Sequence, residues 1–414
     1  MKDKTAVVFN YLFENKASYN VLSQAVCDRC KNAEVYLVKL ELLRNLKEIT
    51  EKHKIAILAL SIMSIQAKEY YELIKKIKLE FPNVIIVAGG PHPTALPEEV
   101  LKNGADIVVI GEGEKTFTEL VNKIENKKGY NTIKGIAYLN KKTKKMITTK
   151  PQTLINLDDY SPIAESNKRY NAIEITRGCV FGCNFCFVTH QTKGKLRHRS
   201  IPNIIKYIKI MHDTKLYDVR FVSSNAFGYG SLDGRTINYE ALETLLKETR
   251  KLFKDRGLFF FGTFPSEVRP EHVNDKTLSL LKQYCDNDNV IIGAQSGSNR
   301  ILKLCNRGHT IEDIYAAAKL IKSYGFMPYV DFIFGLPFEE KEDQLKTLKA
   351  VKELIRIGAR IHAHTFMPLP GTAFADKHYV PIDPEIEKEF LKFEKAGKLY
   401  GDWKKQKEYA CSSK

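Results

Sequence analysis

Three cysteines, Cys179, Cys183 and Cys186, stand at Cys-x3-Cys-x2-Cys spacing within NAIEITRGCVFGCNFCF, residues 171–187. They lie too close along the chain for any pair to form a useful bridge. Gly178 and Gly182 let the backbone curl so that three thiolates converge. Three sulfur ligands suit a soft metal centre, and three rather than four is the informative number. A structural zinc site closes with a fourth ligand, for which His190 is the nearest candidate. An iron–sulfur cube held by three cysteines instead keeps one iron open to a molecule that is not protein. Three merely structural cysteines would leave the glycines, and a short strand predicted over 173–176, unexplained.

The spacing, the aromatic Phe185 just before the third cysteine and the strand feeding the loop resemble the radical S-adenosylmethionine (SAM) superfamily. That resemblance implies that Cys179, Cys183 and Cys186 hold a 4Fe-4S cluster, with Phe185 at the cofactor site. The open iron then chelates the amino and carboxyl groups of SAM, and the reduced cluster cleaves SAM to a 5′-deoxyadenosyl radical. An electron donor of flavodoxin or ferredoxin type is implied as a partner. Cofactor and cluster carry this chemistry, and the protein orients it.

The elements that must position the loop come next. From 171 onward a strand-then-helix pattern repeats about six times, with later strands predicted over 219–223, 258–262, 290–294, 327–334 and 361–366. Six parallel strands with outer helices predict a partial (β/α)6 barrel, whose chemistry lies at the carboxyl strand ends. The second strand ends in SSNAFGYG, and by resemblance Ser223, Ser224 and Asn225 take the place of a Gly-rich or acidic stretch near the methionyl amine. The fourth ends in GAQSGS, where resemblance places Gln295 and Ser296 near the SAM ribose or carboxylate; a plain turn is the alternative. In DFIFGLPFEE, Asp331 points either toward ligand or into an internal hydrogen bond. Met367, in HAHTFMPLPGTAF, is expected near the adenine. Arg199 in LRHRS and Arg307 in NRGHT are candidate cofactor contacts, although helix capping by Ser200 and Thr310 accounts for much of both stretches.

Residues 5–126 alternate too, with strands predicted over 6–12, 34–40, 55–61, 84–88 and 107–110 and helices over 19–31, 42–53, 68–81 and 97–103. Continuous apolar strands such as IAILALS and VIIVA under amphipathic helices predict a Rossmann-like, doubly wound parallel sheet. Ligands of such sheets sit beyond the carboxyl strand ends. Here those ends read SIMS, GGPHPT and GEGE. GGPHPTALPEEVLKNGADIVVIGEGEKTFTEL resembles the cobalamin-binding domain that precedes many radical SAM domains, which assigns Ser61, Ser64, Gly89, Gly90, Gly111 and Glu112 as cobalamin contacts. The Asp-x-His-x-x-Gly motif that supplies a cobalt ligand elsewhere is absent from NYLFENKASYN. Base-off cobalamin is therefore expected, with His92, in another loop, as the alternative ligand. Cys27 and Cys30 fall near the wrong end of a predicted helix for a redox pair.

The expected organisation is a Rossmann-like domain over 1–128, a linker with a β-hairpin over 129–168, the barrel over 169–376 and a charged helical tail over 377–414 whose end frays. The 414 residues are 43% hydrophobic and 28% charged, as in an ordinary globular protein. No apolar run approaches the roughly 20 residues of a membrane span, and no cleavage site follows the N-terminal strand. Eight cysteines without a secreted-scaffold pattern point to a reducing, cytoplasmic location. The net charge of +16 comes from lysines interleaved with glutamates, as in YYELIKKIKLEF, so a nucleic-acid partner is not expected. The function expected is that of a cobalamin-linked radical SAM methyltransferase acting on an unactivated carbon of a protein or small metabolite. The alternatives are a ring-forming or rearranging relative, a tRNA methylthiotransferase and a non-catalytic iron–sulfur and cobalamin sensor. The methyltransferase reading is set apart from the second of these by three more N-terminal cysteines and a small RNA-binding barrel after residue 380, neither of which is visible.

Overall fold

The computed structural model describes residues 4–39, 42–253 and 256–412; the predicted strand end at Leu40 and the tail's last two residues lie outside them. The chain forms two compact units, Met1–Asn171 and Ala172–Lys414.

The first unit is built on a seven-stranded sheet of order β2-β1-β3-β4-β5-β6-β7. Its strands are β1 (Thr5–Asn10), β2 (Ala33–Val38), β3 (Ala56–Ser61), β4 (Ile85–Gly89), β5 (Ile107–Val109), β6 (Ile136–Leu139) and β7 (Met146–Thr148). The first five pair in parallel. Every residue of β1 and β3 is buried, because successive side chains point to opposite faces and both faces are covered. Ala6, Val8 and Leu58 pack with Leu46, Ile49 and Ile74 of one helical layer. Val7, Phe9 and Ile57 pack with Tyr19, Val26 and Leu120 of the other.

Two expectations are revised. The stretch expected as a linker does contain a hairpin, but β6 pairs antiparallel with β5 and makes the sheet mixed. Ile136 and Ala137 are fully buried, so the hairpin covers what would otherwise be an open sheet edge. GGPHPT, expected as a loop, contains the helical turn Pro91–Ala95, with Gly90 at φ +99° before it and proline at its first position.

In the second unit the strands are β8 (Ile173–Glu174), β9 (Thr176–Arg177), β10 (Arg197–His198), β11 (Asp218–Val222), β12 (Leu258–Phe260), β13 (Asn289–Gln295), β14 (Met327–Phe334), β15 (Arg360–Thr365) and β16 (Leu399–Tyr400). β8, β11 and β12 form one parallel run, and β13 to β16 another. A parallel bridge from Val268 to Ile292 continues the curve between them. The result is a six-stranded partial barrel with β16 added at its edge. The strand predicted over 173–176 is divided: β8 stays in the barrel, while β9 leaves it to pair antiparallel with β10. The tail is helical as expected, over Pro384–Lys395 and Trp403–Ser412, and it also places β16 in parallel register with β15 and buries Trp403 completely. Ser200 and Thr310 cap the helices that follow them, accepting from the Asn203 and Asp313 N–H groups. Among the described residues no helix is long and apolar enough to cross a membrane.

Candidate active site at the cysteine loop

The loop after β9 takes its shape from two glycines and two asparagines. Gly178 is left-handed at φ +100°, and a Cβ there would run into the Lys195 carbonyl just ahead of β10. Only glycine lets the β9–β10 pair close beside the first cysteine. The Asn306 side-chain amide donates to the carbonyls of Phe181 (3.0 Å) and Gly182 (2.9 Å). Asn184 answers in the other direction, its amide donating to the Leu304 carbonyl at 2.7 Å and its N–H to Cys305 O at 3.0 Å. The cysteine loop is thus clasped to the turn after the helix Asn299–Leu304. Asn306 itself is left-handed, φ +55°, a conformation asparagine tolerates better than most residues.

Cys179, Cys183 and Cys186 face a cavity of about 410 Å³ at the carboxyl end of the barrel. The Arg307 Nη1 group donates to Cys183 Sγ at 3.5 Å, and Nη2 to the Gly293 carbonyl at 2.6 Å. Arg269 lies behind it, its guanidinium 3.6 Å from the Phe181 ring centre and its Nε donating to Glu271. Burial alone would raise Glu271; His309, with Nδ1 3.6 Å from its carboxylate, and the Arg269 charge bring it down to about 2 instead. Burial pushes the Cys186 thiol up to about 11. Without a cation this thiol keeps its proton, and a bound metal displaces it. Among the described residues, the trio of metal-type ligands whose donor atoms gather within 4.8 Å is Asp331, His362 and His364, not the cysteines. Sulfurs around a single zinc ion, at about 2.3 Å each, sit about 3.8 Å apart. Three thiols on one cavity and an arginine on one sulfur fit an iron–sulfur cluster.

The cavity is also lined by Gln295, Glu267, Asp331 and His364. Gln295 sits at a bulge in β13 with φ +74°, a strained conformation of the kind found at ligand sites. Burial and then the neighbouring Asp331 raise Glu267 above the ordinary carboxyl range, and burial raises Asp331 too. The His362 Nδ1 and Asp331 Oδ1 atoms lie 3.2 Å apart, and the Gln406 amide is 3.3 Å from His364 Nδ1.

Of the residues expected at this site, Ser223, Ser224, Gln295, Asp331, Arg307 and Met367 line the cavity. Phe185 does as well, while packing against Ile301, Phe366 and Phe374. Three others are held elsewhere. Asn225 is engaged by His272 at 2.8 Å and by the Arg269 N–H. Ser296 is fully buried against Thr347. Arg199 donates to Glu174 O and Asn203 Oδ1. His190 contacts the Phe187 ring. Sequence reasoning passed over Glu267, in the unpatterned stretch FPSEVRP, and Gln406, in the tail. It also passed over His362 and His364, although their alternation in HAHT places both on one face of a strand.

In the first unit, Ser61, Gly89 and Gly111 lie at the carboxyl ends of β3, β4 and β5. The Ser61 N–H donates to the Tyr19 hydroxyl at 2.8 Å, and Asn15 donates to its carbonyl at 2.6 Å. At Gly90 a Cβ would meet Ile62 backbone at 3.1 Å, whereas at Gly111, φ +83°, it would meet nothing within 4 Å. Gly111 therefore leaves free space at the strand end, as a large planar ligand requires. Glu112 is buried and accepts from the Ile155 N–H at 3.1 Å, so its carboxylate ties down the segment after the hairpin. His92 is buried with both ring nitrogens engaged, Nε2 at 2.7 Å from Tyr71 Oη and Nδ1 at 3.2 Å from Ser64 Oγ. As folded, it offers no free nitrogen to a cobalt ion.

A parallel α/β unit followed by a partial barrel with three cysteines at its mouth defines a class of metal-dependent SAM enzymes. Residues 173–351 match the Radical SAM superfamily and residues 23–121 the B12 binding domain. The chain belongs to the radical SAM superfamily and carries a B12-binding domain ahead of the radical SAM domain. The cofactors that go with these two domains are an iron–sulfur cluster, SAM and cobalamin. It is 30% identical over 346 residues to the uncharacterized methyltransferase PH0819 of Pyrococcus horikoshii, covering 77% of this chain and 71% of that one. It is 27% identical to the tRNA-2-methylthio-N(6)-dimethylallyladenosine synthase of Sulfurihydrogenibium sp., over 76% of this chain and 67% of the relative. Other relatives are matched over as little as 48% of their length. Among solved structures, the radical SAM methyltransferase TsrM of Kitasatospora setae, with cobalamin and a [4Fe-4S] cluster bound, superposes with a TM-score of 0.70. That match is 16% identical and covers 90% of this chain and 74% of that one. The cobalamin-dependent SAM radical enzyme OxsB gives a TM-score of 0.67 at 17% identity, over 84% of this chain and 51% of its own. At these identities the likeness is one of fold.

Proposed function

We propose that this chain is a cobalamin-linked radical SAM methyltransferase that places a methyl group on an unactivated carbon of a small metabolite or protein side chain. The observation that carries the reading is the cavity in which Cys179, Cys183 and Cys186 face Gln295, Arg307 and Asp331. The three cysteines would hold a 4Fe-4S cluster, with Arg307 compensating thiolate charge. Ser224 and Gln295 would meet polar atoms of SAM, and Phe185 and Met367 its apolar parts. Ser61, Gly89, Gly90 and Gly111 would line the cobalamin site. When bound, these groups supply a 5′-deoxyadenosyl radical and a transferable methyl. The protein's share is to bind, orient and exclude water. An external low-potential flavodoxin or ferredoxin would supply electrons, and eight free cysteines suit a reducing cytoplasm.

Methylthio transfer to tRNA is the competing reading, given the relatives above. It calls for a further three-cysteine set in the first unit, where residues 1–171 hold only Cys27 and Cys30. Cys30 is buried beside the Thr118 carbonyl at 3.6 Å, its thiol pushed up to about 12 by burial. That environment suits a packing residue rather than a metal ligand.

The test is anaerobic reconstitution with iron, sulfide and hydroxocobalamin, followed by incubation with methyl-labelled SAM, a reductant and host extract. Expected are about four irons per chain, one cobalt, release of 5′-deoxyadenosine and S-adenosylhomocysteine, and label in an extract fraction. One zinc and no iron, or a cluster indifferent to Cys183→Ala, would overturn the assignment.

A further inference from the structure

A cluster of metal-type side chains outside the cysteine loop borders the same cavity. Strands β14 and β15 run parallel with Asp331 opposite His362. The two-residue period of a strand brings His364 to the same face. The two imidazole rings are 4.3 Å apart at 69°. One donor atom from each of the three side chains lies within 4.8 Å of the others. Two histidines and one carboxylate are the donor set of a mononuclear transition-metal site, leaving coordination positions for other ligands.

We propose that Asp331, His362 and His364 bind a divalent transition-metal ion. The surroundings suit a cation. Glu267 and Asp331 both line this cavity with His364, so two carboxylates border the site. The His362 ring is held in place from outside by Tyr400, stacked on it at 4.8 Å and 14°. Asp331, His364 and Glu267 open onto the same cavity as the cysteines. The ion would turn its free positions inward, where an oxygen or nitrogen of the substrate could bind and be oriented. These ligands come from β14 and β15, so the site is separate from the cysteine loop and stands whether or not the reaction is methyl transfer.

Manganese(II) provides the test, because its free-ion paramagnetic resonance signal disappears on binding while an oxidised 4Fe-4S cluster stays silent. Full-length, cluster-loaded protein, passed over a chelating resin, is titrated with manganese, and zinc is used as competitor. One bound manganese per chain is expected. His364→Gln, His362→Gln and the isosteric Asp331→Asn should each weaken binding by about tenfold to a hundredfold or more. Their iron content and cluster absorbance should be retained, which separates lost ligation from lost folding. A chain with all three loop cysteines replaced by alanine should still bind one manganese. On the wild-type protein, zinc K-edge absorption with one equivalent of zinc should show nitrogen and oxygen neighbours only. Absence of a stoichiometric site, binding unchanged in the three variants, or a sulfur shell around the zinc would overturn the proposal and leave these groups as a hydrogen-bonded cluster. None of these readouts requires turnover, so the outcome is independent of the methyltransferase test.

Discussion

Arg307 is the side chain whose chemistry is most directly tied to the cysteines, with one nitrogen on Cys183 Sγ and another on the Gly293 carbonyl. A hydrogen bond from a cation stabilises the more negative state of a sulfur-ligated centre. Arg307→Ala should therefore shift the cluster's reduction potential downward by on the order of 60 mV, one tenfold step for a single electron. A redox titration followed by paramagnetic resonance measures this, and Arg307→Lys should recover part of the shift. Glu339 sets a different, pH-linked expectation. Burial and then the Asp343 charge push its carboxyl up from 4.5 to about 8. Its folded pKa lies above its unfolded one, so its contribution to stability is complete below about pH 4.5 and is lost as pH rises through about 8. Melting temperature should accordingly fall between those limits, and Glu339→Gln should flatten that part of the profile.

At the scale of elements, the cysteine loop depends on two neighbours that carry no sulfur. The β9–β10 pair closes over Gly178, where any side chain would strike the Lys195 carbonyl. A left-handed backbone forced on alanine costs about 1–3 kcal/mol before that clash is counted. Gly178→Ala is expected to lower iron retained after reconstitution by more than half while the first unit still binds cobalamin. The turn at Asn306 is the second support, and Asn306→Ala should give a smaller loss of iron in the same assay, since it leaves two loop carbonyls without their donor. The motif NRGHT shows how local reading stops short. Thr310 does cap a helix, but the asparagine clasps the cysteine loop from more than 120 residues away in sequence, a pairing no local pattern announces.

At the scale of the whole molecule, the chain divides into a mixed seven-stranded sheet and a partial barrel, and what completes each is a late or marginal segment. The hairpin β6–β7 finishes the first sheet, and the final forty residues finish the second. Trp403 is wholly buried, its ring meeting Phe334 edge-on at 6.0 Å. The Trp403 carbonyl accepts from the Thr365 hydroxyl at 2.7 Å, at the end of β15. Trp403→Ala should cost about 3–5 kcal/mol and lower the melting temperature of the second unit by roughly 10 °C. Calorimetry on the full chain should show that loss in one transition, with the first unit's melting unchanged.

The amino-acid sequence by itself determined the three-cysteine loop, the parallel α/β pattern on both sides of it and the membership of a cofactor-using superfamily. Each of these is written in spacing or periodicity over a few residues, where local sterics and burial dictate the outcome. Tertiary structure alone decided which polar side chains share a cavity. Gln295 turns inward and Ser296 away because β13 bulges between them and its partner strand. Glu267, Asp331, His362 and His364 meet because strand register and barrel curvature bring together side chains from three separate stretches of chain. The tail's place in the sheet was likewise settled by packing, since a charged segment with one tryptophan has little periodicity of its own and owes its order to the edge of β15 that it covers.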